Sequence, residues 1–173
     1  MSRGVKELIL IAQDLTNYGI DLYGKRTLPE LLRKLVQISG LEWIRLHYAY
    51  PTGFPEEVID LMAKEEKICN YLDIPIQHVN DELLMAMGRG HKRDKLESLL
   101  NKFRSRIPDV ALRTTVLTGF PGESEEAFEE LRTFLGDFRF ERLGVFPYSH
   151  EDDTPAFRQL TDAIPEQIKA SRA

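Results

Sequence analysis

Five short stretches of the sequence carry the polar side chains and glycines that could do chemistry. They are residues 13–19, 47–51, 77–78, 119–123 and 148–151. Each stretch follows a short apolar run of the kind that predicts a buried strand. Because ligands of parallel α/β folds bind at the carboxyl ends of the strands, we expect the five stretches to share one binding rim.

Histidines in these stretches raise the question of a metal site. His47, His78 and His150 each lie at the end of a predicted strand or just after it, and neutral imidazoles can bind zinc at such positions in barrel hydrolases. The sequence has no short-range spacing typical of metal ligands. Hydrogen-bonded structural histidines are therefore the leading interpretation, and a zinc-dependent barrel hydrolase is a rival enzyme class.

The Gly-Phe-Pro-Gly-Glu loop at residues 119–123 has two interpretations. Gly119 and Gly122 either permit positive φ in a tight connection from strand to helix, or let the backbone approach a ligand closely. The loop is not a P-loop, since the Lys-Ser/Thr pair is absent, and it does not match a dinucleotide fingerprint. Both interpretations of the two glycines stay open on the sequence alone.

Arg113 is the charged residue of the fourth predicted strand, beside Leu112 and Thr114. A buried arginine needs a carboxylate or a similar partner. Asp14, Asp73 or the carboxylate of a ligand could supply it. An exposed arginine at the end of the strand is the alternative interpretation.

Short apolar runs alternate with segments of helical spacing, and together they predict the elements that position these residues. Strands are predicted over 8–12, 43–47, 71–74, 111–117 and 142–146. Helices are predicted from Leu28, after Pro55, over 80–87 and 94–106, after the capping residue Ser124 and, more weakly, from Gln159. A polar loop is predicted over 13–26. Two capping boxes, Thr27 with Glu30 and Asp94 with Glu97, support two of the helix starts.

This order of elements predicts an α/β fold with a parallel sheet and right-handed crossovers. The sheet is either open and doubly wound or part of a closed barrel, because five strands are too few for a complete eight-stranded barrel. A length of 173 residues predicts one domain over 1–173.

Composition excludes several classes of protein. The net charge of −5 argues against a generic nucleic-acid binder. No apolar run approaches the roughly 20 residues of a membrane span, and no signal peptide opens the chain. Cys69 is the only cysteine, which excludes an internal disulfide and a site with several cysteines; it predicts a packed small side chain and a cytoplasmic protein.

At these loops the sequence resembles the radical S-adenosylmethionine methylthiotransferases. The resemblance extends from about Gly4 to at least Phe157 and rests on five motifs in order. The motifs are residues 7–14 with 18–19, residues 45–51, residues 71–78, residues 113–123 and residues 148–151. They are most similar to the branch that methylthiolates an aspartate β-carbon of a small-subunit ribosomal protein, and the tRNA-modifying branch is the alternative.

The resemblance implies a partial parallel (β/α) barrel with about five of six βα units present. It implies S-adenosylmethionine as the cofactor, with the 119–123 loop near the adenine and Gln13, Gln77 and Arg113 at polar groups of the ligand. The full set of cofactor-binding residues that it suggests is Gln13, Asp14, Gln77, His78, Arg113, Gly119, Phe120, Gly122, Glu123 and Tyr148.

One departure from the family decides what this chain can do alone. The family holds 4Fe–4S clusters on cysteines, one set in a Cys-x-x-x-Cys-x-x-Cys loop and one in an N-terminal domain, and it ends in a TRAM domain. Neither cysteine set is present here. In the family an electron donor and a cluster drive the cleavage of S-adenosylmethionine to a radical. No other side chain replaces the thiolates, so we expect this chain alone to be inactive and to bind the cofactor poorly.

Overall fold

The structure is a computed structural model, which describes residues 4–173. Its strands are β1 (Glu7–Leu10), β2 (Trp43–Leu46), β3 (Ile68–Asp73), β4 (Ala111–Thr118) and β5 (Arg142–Pro147). Its helices are α1 (Ile20–Tyr23), α2 (Leu28–Leu35), α3 (Glu56–Lys64), α4 (Asp81–Ala86), α5 (Arg93–Arg106), α6 (Glu125–Phe138), α7 (Pro155–Gln159) and α8 (Glu166–Arg172). A short 3₁₀ helix covers Leu15–Asn17.

The five strands form one open sheet in the order β1-β2-β3-β4-β5. The first three pairings are parallel, with Leu8 opposite Ile44, Leu46 opposite Leu72 and Asp73 opposite Arg113. Parallel neighbours need long crossover connections, and helices supply them here. The predicted α/β class and the parallel sheet are therefore confirmed.

The chain divides into two compact units, and each is described by itself. The first comprises the residues up to Pro75 together with Ser98–Arg113, and the second comprises Ile76–Glu97 and Thr114–Ala173. The prediction of one domain over 1–173 stays a prediction. Among the described residues, no helix is long and apolar enough to cross a membrane.

Helical and strand periodicities build the core of the first unit. Ile44 and Leu46 of β2 are two residues apart and point to the same buried face. Val58 and Met62 of α3 are four residues apart and share its buried stripe. The core of the second unit is a smaller cluster of Leu83, Phe120, Ala127 and Tyr148.

Thr27 is the N-cap residue of α2, as predicted, but neither of the two predicted capping boxes is observed. The Thr27 hydroxyl makes no cap to α2 and donates instead to the Tyr18 carbonyl at 3.4 Å. The helix α5 begins at Arg93, so Asp94 lies inside it, and the Asp81 carboxylate accepts the Arg93 N–H at 2.8 Å. The Asp94 carboxylate accepts the N–H of its neighbour Lys95 at 2.7 Å.

The cap at Ser124 is confirmed, because its hydroxyl accepts the Ala127 N–H at 3.2 Å. Two further boundaries differ from expectation. The strand β3 begins at Ile68 and so includes Cys69. The segment predicted as a loop over 13–26 contains the 3₁₀ helix and α1, whose side chains show no clear apolar stripe in the sequence.

Substitution of Leu72 tests the core of the first unit. Leu72 is fully buried on β3, so Leu72→Ala should lower the free energy of unfolding by about 2–5 kcal/mol through lost burial and a cavity. Urea unfolding followed by the fluorescence of Trp43, the single tryptophan, measures the change. Leu22→Ala is the matched control, since Leu22 is exposed. Equal effects of the two substitutions would contradict the packing described here.

Candidate functional site

Asp73, at the end of β3, is the polar centre of the first unit. Its side chain is 1% exposed, and its Oδ1 accepts a hydrogen bond from Nη1 of Arg113 at 2.7 Å. The hydrogen bond to Asp73 raises the pKa of Arg113 above its usual value, so the guanidinium stays charged. Of the three partners considered for Arg113, the structure therefore selects Asp73.

Further side chains continue from Asp73 along the same face of the sheet. The Nδ1 atom of His47 lies 3.8 Å from Oδ2 of Asp73, an ion-pair distance only if the imidazole is protonated. The ring of Tyr71 lies 5.4 Å from the His47 ring, and the Arg45 guanidinium lies 5.1 Å from the centre of the Tyr71 ring. Arg45 in turn donates to Glu7 at 2.7 Å.

We call these six residues the polar ladder: Glu7, Arg45, Tyr71, His47, Asp73 and Arg113. It contains two acid–base pairs, Glu7 with Arg45 and Asp73 with Arg113, so its charges are largely compensated. About a third of the Arg113 side chain is exposed. Arg113 is thus a member whose planar guanidinium is both charged and open to a carboxylate, and Arg45 is exposed to a similar degree.

The other candidates of the first unit lie in different surroundings. Gln13 is exposed. Asp14 accepts hydrogen bonds from the Thr16 N–H and hydroxyl, at 2.9 and 2.6 Å, and from the Asn17 amide at 2.7 Å. These bonds cap the 3₁₀ helix, so the structure explains Asp14 by local folding.

In the second unit the 119–123 loop closes on the buried carboxylate of Glu123. Its Oε2 accepts the Gly119 N–H at 2.9 Å and Nη1 of Arg172 at 2.5 Å. Its Oε1 lies 3.4 Å from Nε2 of His78, but neither atom has a hydrogen bond of good geometry. The Nδ1 atom of His78 accepts the Asn80 N–H at 3.0 Å, so the ring proton belongs on Nε2, facing Glu123.

Opposing effects act on the ionisation of Glu123. Burial alone would raise the pKa of this carboxyl. The neighbouring His78, the Gly119 amide and Arg172 outweigh burial, and the pKa of Glu123 lies below its usual value. The loop therefore closes around an ionised carboxylate at neutral pH.

Gly119 is needed in this loop for two reasons. Its φ is +74°, which side chains rarely adopt. A Cβ atom at this position would also lie 2.4 Å from Cγ of Lys169. The tight connection is confirmed, and the close neighbour of Gly119 is a side chain of this chain. Gly122 also has positive φ, at +92°, but it is exposed.

Aromatic packing and backbone pairing position the remaining candidates of the second unit. Phe120 and Tyr148 pack edge to face with ring centres 5.1 Å apart. The Tyr148 hydroxyl lies 2.9 Å from Nδ1 of His150, and burial raises the pKa of Tyr148. Gln77 has a φ of +68° and forms an isolated parallel bridge with Val116.

The structure thus assembles two groups of candidates. His47, Asp73 and Arg113 form one within the first unit, and His78, Gly119 and Glu123 form another within the second. Across residues 4–173, no three or more His, Cys, Asp or Glu side chains are grouped to hold a metal ion. The histidine cluster expected of a zinc hydrolase is therefore not observed there.

Two residues that the sequence does not single out contact the group formed by His78, Gly119 and Glu123. Lys169 lies against Gly119, and Arg172 pairs with Glu123. A signal was present in the tail, where Asp162, Glu166 and Lys169 have the spacing of acid–base pairs on a helix. Only the folded chain shows that this helix reaches the 119–123 loop.

Comparison of sequences identifies similar proteins. The sequence model of the Radical SAM superfamily matches residues 3–135. A ribosomal protein uS12 methylthiotransferase RimO of Christiangramia forsetii is 56% identical over 99% of this chain and 38% of the relative. A protein of the same name from Flavobacterium psychrophilum is 56% identical over 98% of this chain and 39% of its own length. The chain spans 38–39% of the length of these curated relatives.

Solved structures with low sequence identity share the fold. Coproporphyrinogen III oxidase HemN from Escherichia coli, described as a Radical SAM enzyme, has a TM-score of 0.65 and 23% identity over 83% of this chain and 33% of that chain. The methyltransferase TsrM from Kitasatospora setae, solved with cobalamin and a 4Fe–4S cluster, has a TM-score of 0.64 and 20% identity over 84% of this chain and 28% of that chain. These two likenesses concern the fold alone.

A double-mutant cycle tests the pairing of Asp73 with Arg113. Asp73→Ala should lower the free energy of unfolding by about 1–3 kcal/mol, because it leaves a half-buried guanidinium without its acceptor. Asp73→Ala combined with Arg113→Met should cost less than the sum of the single changes, with a coupling of about 0.5–3 kcal/mol. Urea unfolding measures each value, and the exposed pair Arg132–Glu129 is the control. Strict additivity at Asp73 and Arg113 would show that the pair does not stabilise the fold.

The lowered pKa of Glu123 predicts a dependence of stability on pH. A carboxyl with a lowered folded pKa stabilises the protein above its unfolded pKa of about 4.3 and loses this contribution as the pH falls through the folded pKa. The stability advantage of the unmodified protein over Glu123→Gln should therefore be constant above about pH 5 and shrink on acidification below about pH 4.3. Denaturant unfolding between neutral and acidic pH measures it, with Glu129→Gln as the exposed control. An advantage that grows towards acidic pH would contradict the assignment.

Proposed function

Because this chain belongs to the Radical SAM superfamily, we propose that it is the S-adenosylmethionine-binding part of a methylthiotransferase that modifies ribosomal protein uS12. The 56% identity over 99% of the chain to proteins of that name is the observation that carries the proposal. The proposed target atom is an aspartate β-carbon, which would receive sulfur and a methyl group.

The residues fit S-adenosylmethionine in the first unit. The ligand carries a carboxylate, and the Arg113 guanidinium is charged, about a third exposed and oriented through Nη1 by Asp73. A guanidinium held in this way loses little freedom when a carboxylate binds to its remaining N–H groups. The exposed side chain of Gln13 is available for a second polar contact.

The second unit is proposed to contribute the 119–123 loop. Its shape depends on Glu123, which holds the Gly119 amide. Phe120, within the loop, packs against Tyr148, and this contact supports the position of the loop. His78, which lies beside Glu123, and Gln77, which pairs with Val116, are proposed to line the same loop. Their contribution is to hold the loop and exclude water, which strengthens polar contacts to a ligand.

The residues do not fit a 4Fe–4S cluster. A cluster of this type needs several thiolates, and the chain has one cysteine. Burial raises the pKa of the Cys69 thiol, which disfavours even a single thiolate. We therefore assign no part of radical formation to these residues and propose that the chain alone is inactive. The cluster ligands would belong to other parts of the enzyme, as would the contact with an electron donor.

The proposed partner is a ribosomal protein, and no direct contact with nucleic acid is proposed for this chain. Its net charge of −5 is compatible with a basic protein partner, because complementary charges favour encounter. A cytoplasmic location agrees with a ribosomal substrate and belongs to the same proposal.

The test uses the full-length protein that contains this chain, with its clusters loaded, S-adenosylmethionine and purified uS12. Mass spectrometry of uS12 should find a methylthio group on one aspartate. Arg113→Met should weaken S-adenosylmethionine affinity by about 10-fold or more, since it removes a charged hydrogen-bonding partner. Arg132→Met, which changes an exposed arginine, should leave affinity unchanged.

The outcome that would contradict the proposal is modification of tRNA in place of uS12, or no binding of S-adenosylmethionine by the loaded protein. The first would assign the chain to the tRNA-modifying branch. The second would remove the cofactor role from both groups of residues.

A further inference from the structure

The helix α8 contains a fully buried lysine, Lys169. The Lys169 side chain has 0% exposure. Its Nζ atom lies 2.6 Å from Oδ2 of Asp162 and 2.6 Å from Oε1 of Glu166. It also lies 5.4 Å from the centre of the Tyr148 ring. Because a buried charge is tolerated only with partners, these contacts define one position for the lysine.

The stem of this lysine lies directly against the 119–123 loop. A Cβ on Gly119 would meet three atoms of Lys169, the nearest at 2.4 Å. The absence of a side chain at Gly119 therefore makes room for Lys169. The glycine that was open to interpretation in the sequence is a packing site for α8.

Arg172 makes the second connection, three residues further along α8. Its Nη1 atom donates to Oε2 of Glu123 at 2.5 Å, and its Nη2 atom donates to Glu125 at 2.7 Å. Its guanidinium lies 5.0 Å from the centre of the Phe128 ring. The side chain is only 9% exposed, so the pairing with Glu123 is shielded from water and salt.

The charges of this contact persist at neutral pH. Burial alone would lower the pKa values of Lys169 and Arg172, but their carboxylate partners outweigh it and raise both. The pKa of Glu123 is lowered. The contact thus joins the guanidinium of Arg172 to the ionised carboxylate that also holds the Gly119 amide. The ammonium of Lys169 is paired with Asp162 and Glu166, and its stem packs against Gly119.

We propose that α8 is a latch on the cofactor loop, in which Lys169 and Arg172 are positioning residues that hold residues 119–123 in the conformation that binds S-adenosylmethionine. The inference rests on the proposed function for its ligand, and on the contacts above for the latch. The matched superfamily region ends at residue 135, and α8 lies beyond it.

Coupling of this kind is reciprocal. If docking of α8 favours binding of S-adenosylmethionine, then binding must favour docking of α8 by the same factor, typically about 5–150-fold. Any event that lifts α8 from the loop would weaken cofactor binding. A change in the position of residues 162–172 would in this way change the affinity of the site for S-adenosylmethionine.

The first arm of the test measures the latch without any ligand. Hydrogen exchange of the Gly119 amide, which bonds to Glu123, is compared in the unmodified full-length protein and in Arg172→Met, Arg172→Lys and Arg132→Met. Exchange should accelerate in Arg172→Met, less so in Arg172→Lys, which keeps the charge, and not in Arg132→Met. The melting temperature of each variant identifies loss of fold.

The second arm measures S-adenosylmethionine affinity of the same proteins with their clusters loaded. Arg172→Met should weaken binding by about 5-fold or more, with Arg172→Lys between it and the unmodified protein. In the unmodified protein, adding S-adenosylmethionine should slow exchange in the peptide around Arg172. This last measurement needs no variant, so it tests the coupling of α8 to cofactor binding even if Arg172→Met does not fold.

The outcomes separate the latch from the proposed function. Faster exchange at Gly119 with unchanged affinity would overturn the positioning role and leave α8 as packing alone. Unchanged exchange would overturn the latch itself. Failure of the unmodified, cluster-loaded protein to bind S-adenosylmethionine would overturn the proposed function, and the cofactor role of the latch with it.

Discussion

A buried, ionised carboxylate is the constraint on which the second unit depends. Glu123 has no exposed side-chain surface, so its charge must be satisfied by the protein. The Gly119 amide and Arg172 both donate to its Oε2, and His78 lies beside its Oε1. The 119–123 loop, the helix α8 and His78 are thereby tied to one residue. The conformation of the loop follows from the need to solvate that charge, and the glycines make the required approach possible.

The first unit also contains a buried carboxylate paired with an arginine, but the geometry of the pair is different. Asp73 is as deeply buried as Glu123 and is also paired with an arginine, but the partner is opposite it in the β3–β4 register. Asp73 leaves Arg113 partly exposed, whereas Glu123 and its arginine are both enclosed. The first pair therefore presents a charge to a ligand, and the second holds a loop. These different exposures are the reason for assigning ligand contact to Arg113 and positioning to Arg172.

Local patterns in the sequence predict the strands, most helices and the Ser124 cap, because these depend on neighbours within a few residues. For Arg113 the sequence leaves three possible partners. A buried arginine requires an anion, but the sequence does not show which residue of β3 lies opposite it on β4. The capping boxes at Thr27 and Asp94 are not observed, because the Thr27 hydroxyl donates to the Tyr18 carbonyl and the Asp81 carboxylate accepts the first N–H of α5. Lys169 and Arg172 were missed for the same reason: their partners Gly119 and Glu123 are about fifty residues away in the chain.

The measurement that tests the central claim most directly is a carbon-13 NMR titration of the Glu123 side-chain carboxyl in this chain. We expect a midpoint below the value of about 4.3 for free glutamate, because the hydrogen-bond donors of Glu123 outweigh its burial. A midpoint clearly above that value would mean that burial dominates and the carboxyl takes up its proton readily. The loop would then be held by a neutral group, and neither the charge pairing with Arg172 nor the latch built on it would stand.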